Sequence, residues 1–340
     1  GIVPANSGGI RELEILRRLV ETGGILGCKA FLCFSGIESF PAVGEADLRR
    51  AMPILKAAGI PLVVHAELEC PLSQEVLDRF AGNPRSYQAY LASRPRNFEN
   101  EAVRLLIRLT RETGCPVHVV HLSSSDVLPE IAAAKREGLA FSAETCPHYL
   151  HFAAEDIPDG RTEFKCAPPV RERENREKLW QGLRSGVLDF VVADHSPCTP
   201  ALKLIEEGDF ARAWGGIASL QLGMSVVTTG ALARGFKFEK VLAWMTSRPA
   251  RLLGISAAKG EIGPGKDADF VAWDPAEVWS PLAGEMLHRH PITPYLGTRL
   301  LGRVIATWLR GDLIYDRRSG ADPRGKASLR LGREILKNPG

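Results

Sequence analysis

Short apolar runs alternate with polar, amphipathic segments along most of the chain, from residue 24 to about residue 198. Near-continuous apolar strands that alternate with helices are typical of a parallel sheet buried on both faces. Several of the amphipathic segments end in Gly, as helices often do. The strand-like runs are GILGCKAFLCF, IPLVVHAE, CPVHVVHLSSS, LAFSAETCPHYL, FKCAPP and VLDFVVADHSP, and the helix-like segments are EADLRRAMPILKAAG, NFENEAVRLLIRLTRETG, DVLPEIAAAKREG and NREKLWQGLRSG.

Polar side chains at the ends of these runs distinguish a closed barrel from an open sheet, which share the same alternation. His65, His121 and Asp194 each end an apolar run, and Glu144 and His148 come late in another. Barrel enzymes collect their catalytic groups at the C-terminal ends of the strands. We therefore predict a (β/α) barrel.

The sequence pattern changes near Gly260, where GEIGPGKDADFVAWDP and later LLGRVIATWLRGDLIYD read as short alternating strands separated by Gly and Asp turns. This change predicts a small β module beside the barrel. We assign residues 1–255 to the barrel domain, 256–318 to the β module, and 319–340 to a polar tail without an assigned role.

Composition narrows the classes of function. The chain has 340 residues, 45% of them hydrophobic, and a net charge of +3 from interspersed Lys, Arg, Asp and Glu. A basic stripe of the kind that binds nucleic acid is absent, and so is an apolar stretch long enough to cross a bilayer. The seven cysteines are scattered and form no CxxC pair, which argues against a disulfide framework and favours a cytoplasmic protein.

Two histidines and an aspartate carry the candidate chemistry. Strict alternation places His65 on the face of Val63 and His121 on the face of Val119, so His118 would face the opposite way. A single histidine at a strand end is commonly structural, but two of them together with Asp194 favour a metal site. Asp194 follows the apolar run LDFVVA, where a carboxylate without a partner costs several kcal/mol. The alternative for Asp194 is a helix N-cap.

Lys29 lies inside the apolar run GILGCKAFLCF, where a charged ammonium is costly. Burial there would lower the lysine pKa toward the neutral amine. A neutral amine can react with carbon dioxide to give a carbamate, whose two oxygens suit two bridged metal ions. The alternative is that the side chain extends to the edge of the strand and keeps its charge in water.

In this order, Lys29, His65, His121 and Asp194 resemble the ligands of the cyclic-amide branch of the amidohydrolases, which contains hydantoinases, dihydroorotases and allantoinases. The resemblance implies a (β/α)8 TIM-type barrel of the metal-dependent hydrolase kind with a small β-sandwich module. It implies two divalent metal ions bridged by carboxylated Lys29, with zinc preferred over cobalt, manganese or iron. His65 and His121 would bind one ion and Asp194 the other. Asp194 would also act as general base and acid.

The flanking motifs ADHSPCTPALK, AWGGIASLQ, AETCPHYL, FKCAPPVR and HPITPYLGTRLLG are more similar to allantoinases than to the other members of the branch. This similarity implies allantoin as a small-molecule substrate, allantoate as the product, and a homo-oligomer, either tetramer or dimer. The further site residues that it implies are substrate contacts at Ser35, Cys166, Ala167 and Gly216, and supporting residues behind the ligands at His148 and His195.

The chain also departs from the family pattern. The family begins its metal site with an H-x-H pair on the first barrel strand, and no such pair precedes Lys29. GIVPAN resembles the end of the third strand, so we expect an N-terminally truncated chain whose barrel does not close. Such a chain would hold one metal ion or none, and would be fully active only with the missing segment. The pair His288 and His290 is interpreted as a polar surface loop.

Two alternatives to this function stay open. One is a hydantoinase or dihydropyrimidinase that acts on a different cyclic amide. The other is a non-catalytic scaffold of the dihydropyrimidinase-related kind, which keeps the fold but not the ligands. Four metal-type groups at strand ends argue against the scaffold, since a scaffold has no need for them.

Overall fold

The computed structural model describes residues 2–4, 13–38, 40–318, 333 and 335. The strands are β1 (Ile2–Pro4), β2 (Gly27–Phe31), β3 (Leu62–His65), β4 (Val117–Val119), β5 (Phe141–Thr145), β6 (Phe190–Val191), β7 (Phe270–Trp279), β8 (Leu300–Leu309) and β9 (Asp312–Asp316). The helices are α1 (Leu13–Thr22), α2 (Glu45–Ala57), α3 (Gln74–Gly82), α4 (Tyr87–Ser93), α5 (Arg96–Thr113), α6 (Leu128–Arg136), α7 (Pro147–His151), α8 (Arg173–Ser185), α9 (Pro200–Lys203), α10 (Gly223–Leu232), α11 (Phe238–Met245) and α12 (Ser247–Leu252).

Strands β1 to β6 form one sheet in the order in which they follow along the chain. The pairs from β1 to β5 are parallel. Every residue of β3 and of β4 is buried, as expected for a parallel sheet covered on both faces. The predicted parallel α/β organisation is therefore confirmed, and the sequential strand order is that of a (β/α) barrel.

The four predicted helices correspond to α2, α5, α6 and α8. Their ends follow the glycines: α5 and α8 are capped by Gly114 and Gly186, which adopt the left-handed conformation with φ of 67° and 76°. The helix α5 buries an apolar stripe that includes Val103, Leu106 and Leu109. Glycine at the cap and a buried stripe are the two features that made these helices predictable.

The run FKCAPP, residues 164–169, does not form the strand that its apolar character predicted. It follows a turn of 3-10 helix at Thr162–Phe164 and continues as irregular backbone. Pro168 and Pro169 have no backbone N–H with which to join a ladder. The carbonyl oxygen of Lys165 instead accepts hydrogen bonds from outside any sheet, including one from the backbone N–H of Gly216.

The predicted β module contains an antiparallel sheet in the order β7, β8, β9. At its centre, Gly302 has a φ of +82°, and a Cβ atom there would lie 2.0 Å from the Trp273 ring. A glycine is therefore required where the indole crosses β8. The second sheet of a sandwich stays a prediction.

The chain divides into two compact units. The described residues of the first unit run up to 159, continue from 168 to 190 and include 335. The second unit comprises 160–167 and the described residues from 191 to 333. The domain boundary between 255 and 256 stays a prediction from the sequence. Most of the predicted tail, 319–340, lies outside the described residues.

Two expectations from composition can be compared with the described residues. No helix among them is long and apolar enough to cross a membrane. All seven cysteines lie in this part of the chain, and none of them forms a disulfide there.

Candidate functional site

In the first unit, two buried histidines meet beyond the ends of neighbouring strands. His65 is the last residue of β3, and His121 follows β4 by two positions. Nδ1 of His65 lies 3.0 Å from Nε2 of His121. Two nitrogens that bind the same tetrahedral zinc ion are about 3.3 Å apart, because each Zn–N bond is about 2.0 to 2.1 Å long. The pair therefore has the donor atoms and nearly the spacing of two ligands on one metal ion.

The way His121 reaches His65 differs from the expectation. The register pairs Lys29 with Val63 and Val63 with His118. Partners in a parallel ladder share a face, so His118 is on the face of Lys29 and His65 and, as strand alternation predicts, opposite Val117 and Val119. The expectation that His121 shares the face of Val119 was wrong, because His121 meets His65 on the other face. His121 lies beyond the strand with a φ of +41°. This left-handed turn, and not strand alternation, directs its side chain.

The other nitrogen of the His65 ring contacts a fully buried carboxylate. Nε2 of His65 lies 2.7 Å from Oε2 of Glu67, and Arg94 donates to both Glu67 oxygens at 3.1 and 2.5 Å. Burial alone would raise the pKa of Glu67, but Arg94 and His65 lower it to about 2. An ionised carboxylate only accepts hydrogen bonds, so Nε2 carries the hydrogen and Nδ1 keeps its lone pair for a metal.

Cys33, His65 and Glu67 form a second group whose ligand atoms lie within 4.8 Å of one another. This set fits a metal less well than the histidine pair. The Glu67 carboxylate is already neutralised by Arg94. Burial raises the pKa of the Cys33 thiol to about 12, which keeps the sulfur protonated and a poor ligand. We therefore treat Glu67 as the outer partner of His65.

A second buried ion pair fixes the loop that follows His121. Glu99 of α5 accepts hydrogen bonds from the backbone N–H groups of Ser123 and Ser124 at 2.8 and 3.0 Å. Its other oxygen accepts from Arg171 at 2.7 and 3.0 Å, and both side chains are almost fully buried. Glu99 and Arg171 hold the backbone in place just beyond the left-handed residue. Neither residue stood out in the sequence, because the helix start ENEAVR looks like an ordinary solvated turn.

Charge and burial keep His121 neutral. Burial, followed by electrostatic interaction with His65 and Lys29, places the pKa of His121 well below its ordinary value. A neutral imidazole is the form that binds a metal ion. Nδ1 of His121 is buried with no hydrogen-bond partner within the described structure. The described protein groups therefore do not fix the orientation of this ring, and a bound ligand would be needed to fix it.

Lys29 lies in β2 on the face of His65. The register pairs Phe31 with His65, two residues beyond the pairing of Lys29 with Val63. Lys29 is partly buried, and Nζ lies 4.9 Å from the centre of the Phe31 ring. The lysine is therefore inside the sheet, as the apolar run predicted, and on the side where the histidines meet.

Two further buried groups lie near these strands. His118 contacts Ser142 Oγ at 2.7 Å and Glu144 Oε2 at 3.0 Å, so these residues form a closed polar network inside the sheet. His148, predicted to support the ligands, is fully buried in α7. It is among the groups whose charge lowers the pKa of His121.

Asp194 belongs to the second unit and follows β6 by three residues. It is exposed and has a φ of +43°. The next helix, α9, begins at Pro200 with Thr199 as its N-cap, so Asp194 does not cap a helix. His195 accepts hydrogen bonds at Nδ1 from the backbone N–H groups of Ser219 and Leu220, and Ser219 Oγ donates to the carbonyl of Ala193 at 2.5 Å.

The predicted surface loop at His288 is closer to this region than expected. The rings of His195 and His288 are 5.5 Å apart, and His288 is half-buried. Burial, followed by His288, lowers the pKa of His195. The loop is irregular, as predicted, but it covers the residue next to Asp194.

The four predicted substrate contacts are found in two places. Ser35 lies in the first unit, where its hydroxyl donates to the Phe40 carbonyl at 2.7 Å. In the second unit, Cys166 is buried and Ala167 is half-buried. Gly216 is buried, and a Cβ atom there would lie 2.5 Å from Ser196 Oγ. A close backbone approach thus explains the glycine.

Comparison with known proteins places the chain in a family. The model of the amidohydrolase family matches residues 27–314. The allantoinase of Streptomyces avermitilis is 44% identical over 96% of this chain and 70% of its own length. The chain belongs to the amidohydrolase family. The allantoinase of Arabidopsis thaliana is 41% identical over 93% of this chain and 63% of its own length.

The fold of this amidohydrolase agrees with solved structures. The L-hydantoinase (dihydropyrimidinase) from Arthrobacter aurescens superimposes with a TM-score of 0.84 at 29% identity, covering 92% of this chain and 69% of that protein. The predicted TIM-type barrel fold is therefore confirmed. The chain spans about two thirds of the length of these relatives. The family and this fold imply a divalent metal centre and a small-molecule substrate.

Proposed function

We propose that this amidohydrolase opens the ring of allantoin with water to give allantoate. The observation that carries the chemistry is the buried pair of imidazole nitrogens, Nδ1 of His65 and Nε2 of His121, 3.0 Å apart. A scaffold has no need for such a pair. The similarity to allantoinases over nearly the whole chain supports the choice of substrate.

In this proposal His65 and His121 would hold one divalent ion, Asp194 would help to hold a second, and carboxylated Lys29 would supply oxygen ligands to the metal centre. Zinc is the first choice, because imidazole and carboxylate donors suit it, although cobalt, manganese and iron accept the same ligands. The metal centre supplies an acidified water and a Lewis acid for the amide carbonyl. Glu67 fixes the tautomer of His65, and Lys29 contributes from the neighbouring strand.

Asp194 moves the proton. Its carboxylate is exposed at the end of a strand, where it can accept the proton of the attacking water and return it to the departing ring nitrogen. His195, fixed by two backbone N–H groups, restrains the backbone beside it. Ser35, Cys166, Ala167 and Gly216 are the proposed contacts to the substrate ring.

A hydantoinase or dihydropyrimidinase activity is the second candidate, because the fold superimposes well on an L-hydantoinase. The identity to that structure is 29%, against 44% and 41% for two allantoinases. We therefore place allantoin first. Assembly as a homo-oligomer in the cytoplasm belongs to the same proposal.

The test is a substrate panel with the full-length protein that contains this chain. Allantoin, hydantoin, dihydrouracil and dihydroorotate are compared by kcat/KM, and bound metal is measured by elemental analysis on the same samples. We expect allantoin to be the best substrate and activity to follow metal content. A higher kcat/KM for another cyclic amide would mean that this compound, and not allantoin, is the substrate. Protein that binds no metal and hydrolyses none of the four compounds would support the scaffold.

A further inference from the structure

Lys203, in the second unit, is a buried lysine whose side chain is held by backbone carbonyl oxygens and has no part in the proposed reaction. It is 2% exposed. Its Nζ donates to three backbone carbonyl oxygens within hydrogen-bonding distance. The acceptors are Lys165 at 2.9 Å, Trp214 at 2.9 Å and Gly216 at 2.6 Å.

The geometry requires the charged form of the side chain. An ammonium group has three hydrogens and can satisfy all three carbonyls, whereas a neutral amine has two and would leave one carbonyl facing a lone pair. Burial lowers the pKa of Lys203 to about 8, opposed by Cys198, Cys166 and Glu163. The ammonium is therefore the main form at pH 7.

The three carbonyls belong to two segments that are distant in sequence. One segment, residues 165–167, contains the proposed substrate contacts Cys166 and Ala167. The other, residues 214–216, contains Gly216. The backbone N–H of Gly216 also donates to the Lys165 carbonyl at 3.0 Å, so a direct hydrogen bond and the lysine together join the two segments.

The second of these segments continues into the backbone beside Asp194. Residue Ile217 forms an isolated parallel bridge with His195, and its carbonyl accepts from the Ser196 N–H at 3.0 Å. Ser219 Oγ donates to the carbonyl of Ala193. A shift of the turn at 214–216 would therefore be transmitted to the residues on either side of Asp194.

We propose that Lys203 is a positioning residue for substrate binding, whose ammonium group clamps segment 165–167 to segment 214–216 and so sets the backbone side of the substrate site. The inference rests on the proposed function for the identity of the substrate. It does not involve Lys29, His65 or His121, and Lys203 itself contacts neither the substrate nor the reacting atoms.

The experiment compares Lys203→Met, which keeps most of the length of the unbranched side chain but removes its charge, with Lys240→Met as a matched control. Lys240 is exposed on α11. The measurements are KM and kcat for allantoin, metal content, and amide hydrogen exchange of residues 214–217. We expect Lys203→Met to lower kcat/KM roughly ten- to a hundredfold, mainly through KM, as for the loss of hydrogen bonds to a charged group. Metal content should stay unchanged, exchange at 214–217 should accelerate, and the control should match the wild type.

A second variant covers the case in which Lys203→Met does not fold. Lys203→Ala leaves a cavity that propylammonium can enter, and added propylammonium should restore a measurable part of kcat/KM, whereas 1-propanol should not. The wild type should also lose affinity as the pH rises through about 8, because the clamp then loses a proton and a hydrogen bond. The charged and titratable groups that face Lys203 are Cys166, Cys198 and Glu163. In the Lys203→Met variant, the rise of KM with pH near 8 should be absent.

Wild-type KM and wild-type exchange at 214–217 in Lys203→Met would overturn the inference. So would a global loss of structure in both Lys203 variants that propylammonium does not reverse. Failure of the proposed function is a separate result: the wild type would then not hydrolyse allantoin, while exchange at 214–217 and the propylammonium effect on that exchange would still test the clamp.

Discussion

The surroundings of the two histidines and the surroundings of Asp194 are built in different ways. In the first unit, carboxylate and guanidinium side chains hold the site: Glu67 with Arg94 behind His65, and Glu99 with Arg171 behind the loop after His121. In the second unit, backbone groups do most of this work. The turn beside Asp194 is fixed by the parallel bridge between His195 and Ile217 and by the ammonium group of Lys203, which donates to backbone carbonyl oxygens.

The difference follows from the role that each of the two regions has in the proposed reaction. A metal ligand is a side chain whose tautomer and direction matter, and a carboxylate partner sets both. A backbone surface that faces a small planar substrate needs only a fixed path of the chain, which carbonyl acceptors and glycine provide. Changes around the two histidines should therefore act on metal binding, and changes in the turn at 214–216 should act on KM.

Loss of a histidine should be the most damaging change in the first unit. His121→Ala removes one of the two imidazole donors, so we expect bound metal to fall and kcat/KM to drop by roughly a thousandfold or more, since several kcal/mol of transition-state stabilisation depend on the metal. Elemental analysis and the allantoin assay on the same sample check this. His290→Ala, which changes the same residue type in an irregular loop, should keep both metal and activity. A His121→Ala protein with full metal and full activity would refute the proposed ligand.

Removal of the outer partner of His65 should have a smaller effect of the same kind. Glu67→Gln keeps the shape of the side chain but lets an amide face Nε2 of His65 and leaves Arg94 without its anion. We expect metal affinity to fall by about ten- to a hundredfold, measured by competition with a chelator of known affinity. Glu69→Gln, an exposed neighbour two residues along the chain, serves as the control. Equal affinities for the two variants would mean that Glu67 does not orient His65.

Residue types and their order predicted one part of this molecule well. Apolar runs and glycine caps gave the parallel sheet and the helices α2, α5, α6 and α8, because strand burial and helix termination are local properties. The histidines at the strand ends were recognisable for the same reason: His65 ends β3, and its donor atom meets that of His121.

What the sequence did not reveal depends on contacts between distant positions. The direction of His121 comes from a left-handed residue after the strand, which strict alternation cannot represent. FKCAPP is apolar enough for a strand, yet its two prolines and its contacts with Lys203 and Gly216 give it an irregular path. Glu99 and Lys203 look like surface residues in the sequence, and only the fold shows that both are buried with full sets of partners.

The smallest expected effect concerns the turn in the second unit. Gly216→Ala would place a Cβ atom 2.5 Å from Ser196 Oγ and 2.6 Å from its Cβ, whereas at Gly215 the nearest atoms, in Ala167, are 3.8 Å away. Overpacking of this kind costs about 1 to 3 kcal/mol. Because the strain lies between the turn and the residue two positions after Asp194, we expect KM for allantoin to rise by less than about tenfold with unchanged metal content. Gly215→Ala should behave like the wild type.

The double variant Gly216→Ala with Ser196→Gly tests whether contact with the Ser196 side chain causes the rise in KM. It removes the Oγ and Cβ atoms at 2.5 and 2.6 Å and leaves the Ser196 backbone oxygen at 2.9 Å, so KM should return part of the way toward the value of the Ser196→Gly single variant. If KM in the double variant stays as high as in Gly216→Ala, contact with the Ser196 side chain is not the cause of the increase. A loss of metal in Gly216→Ala would instead contradict the separation between the surroundings of the histidines, which should act on metal binding, and the turn at 214–216, which should act on KM.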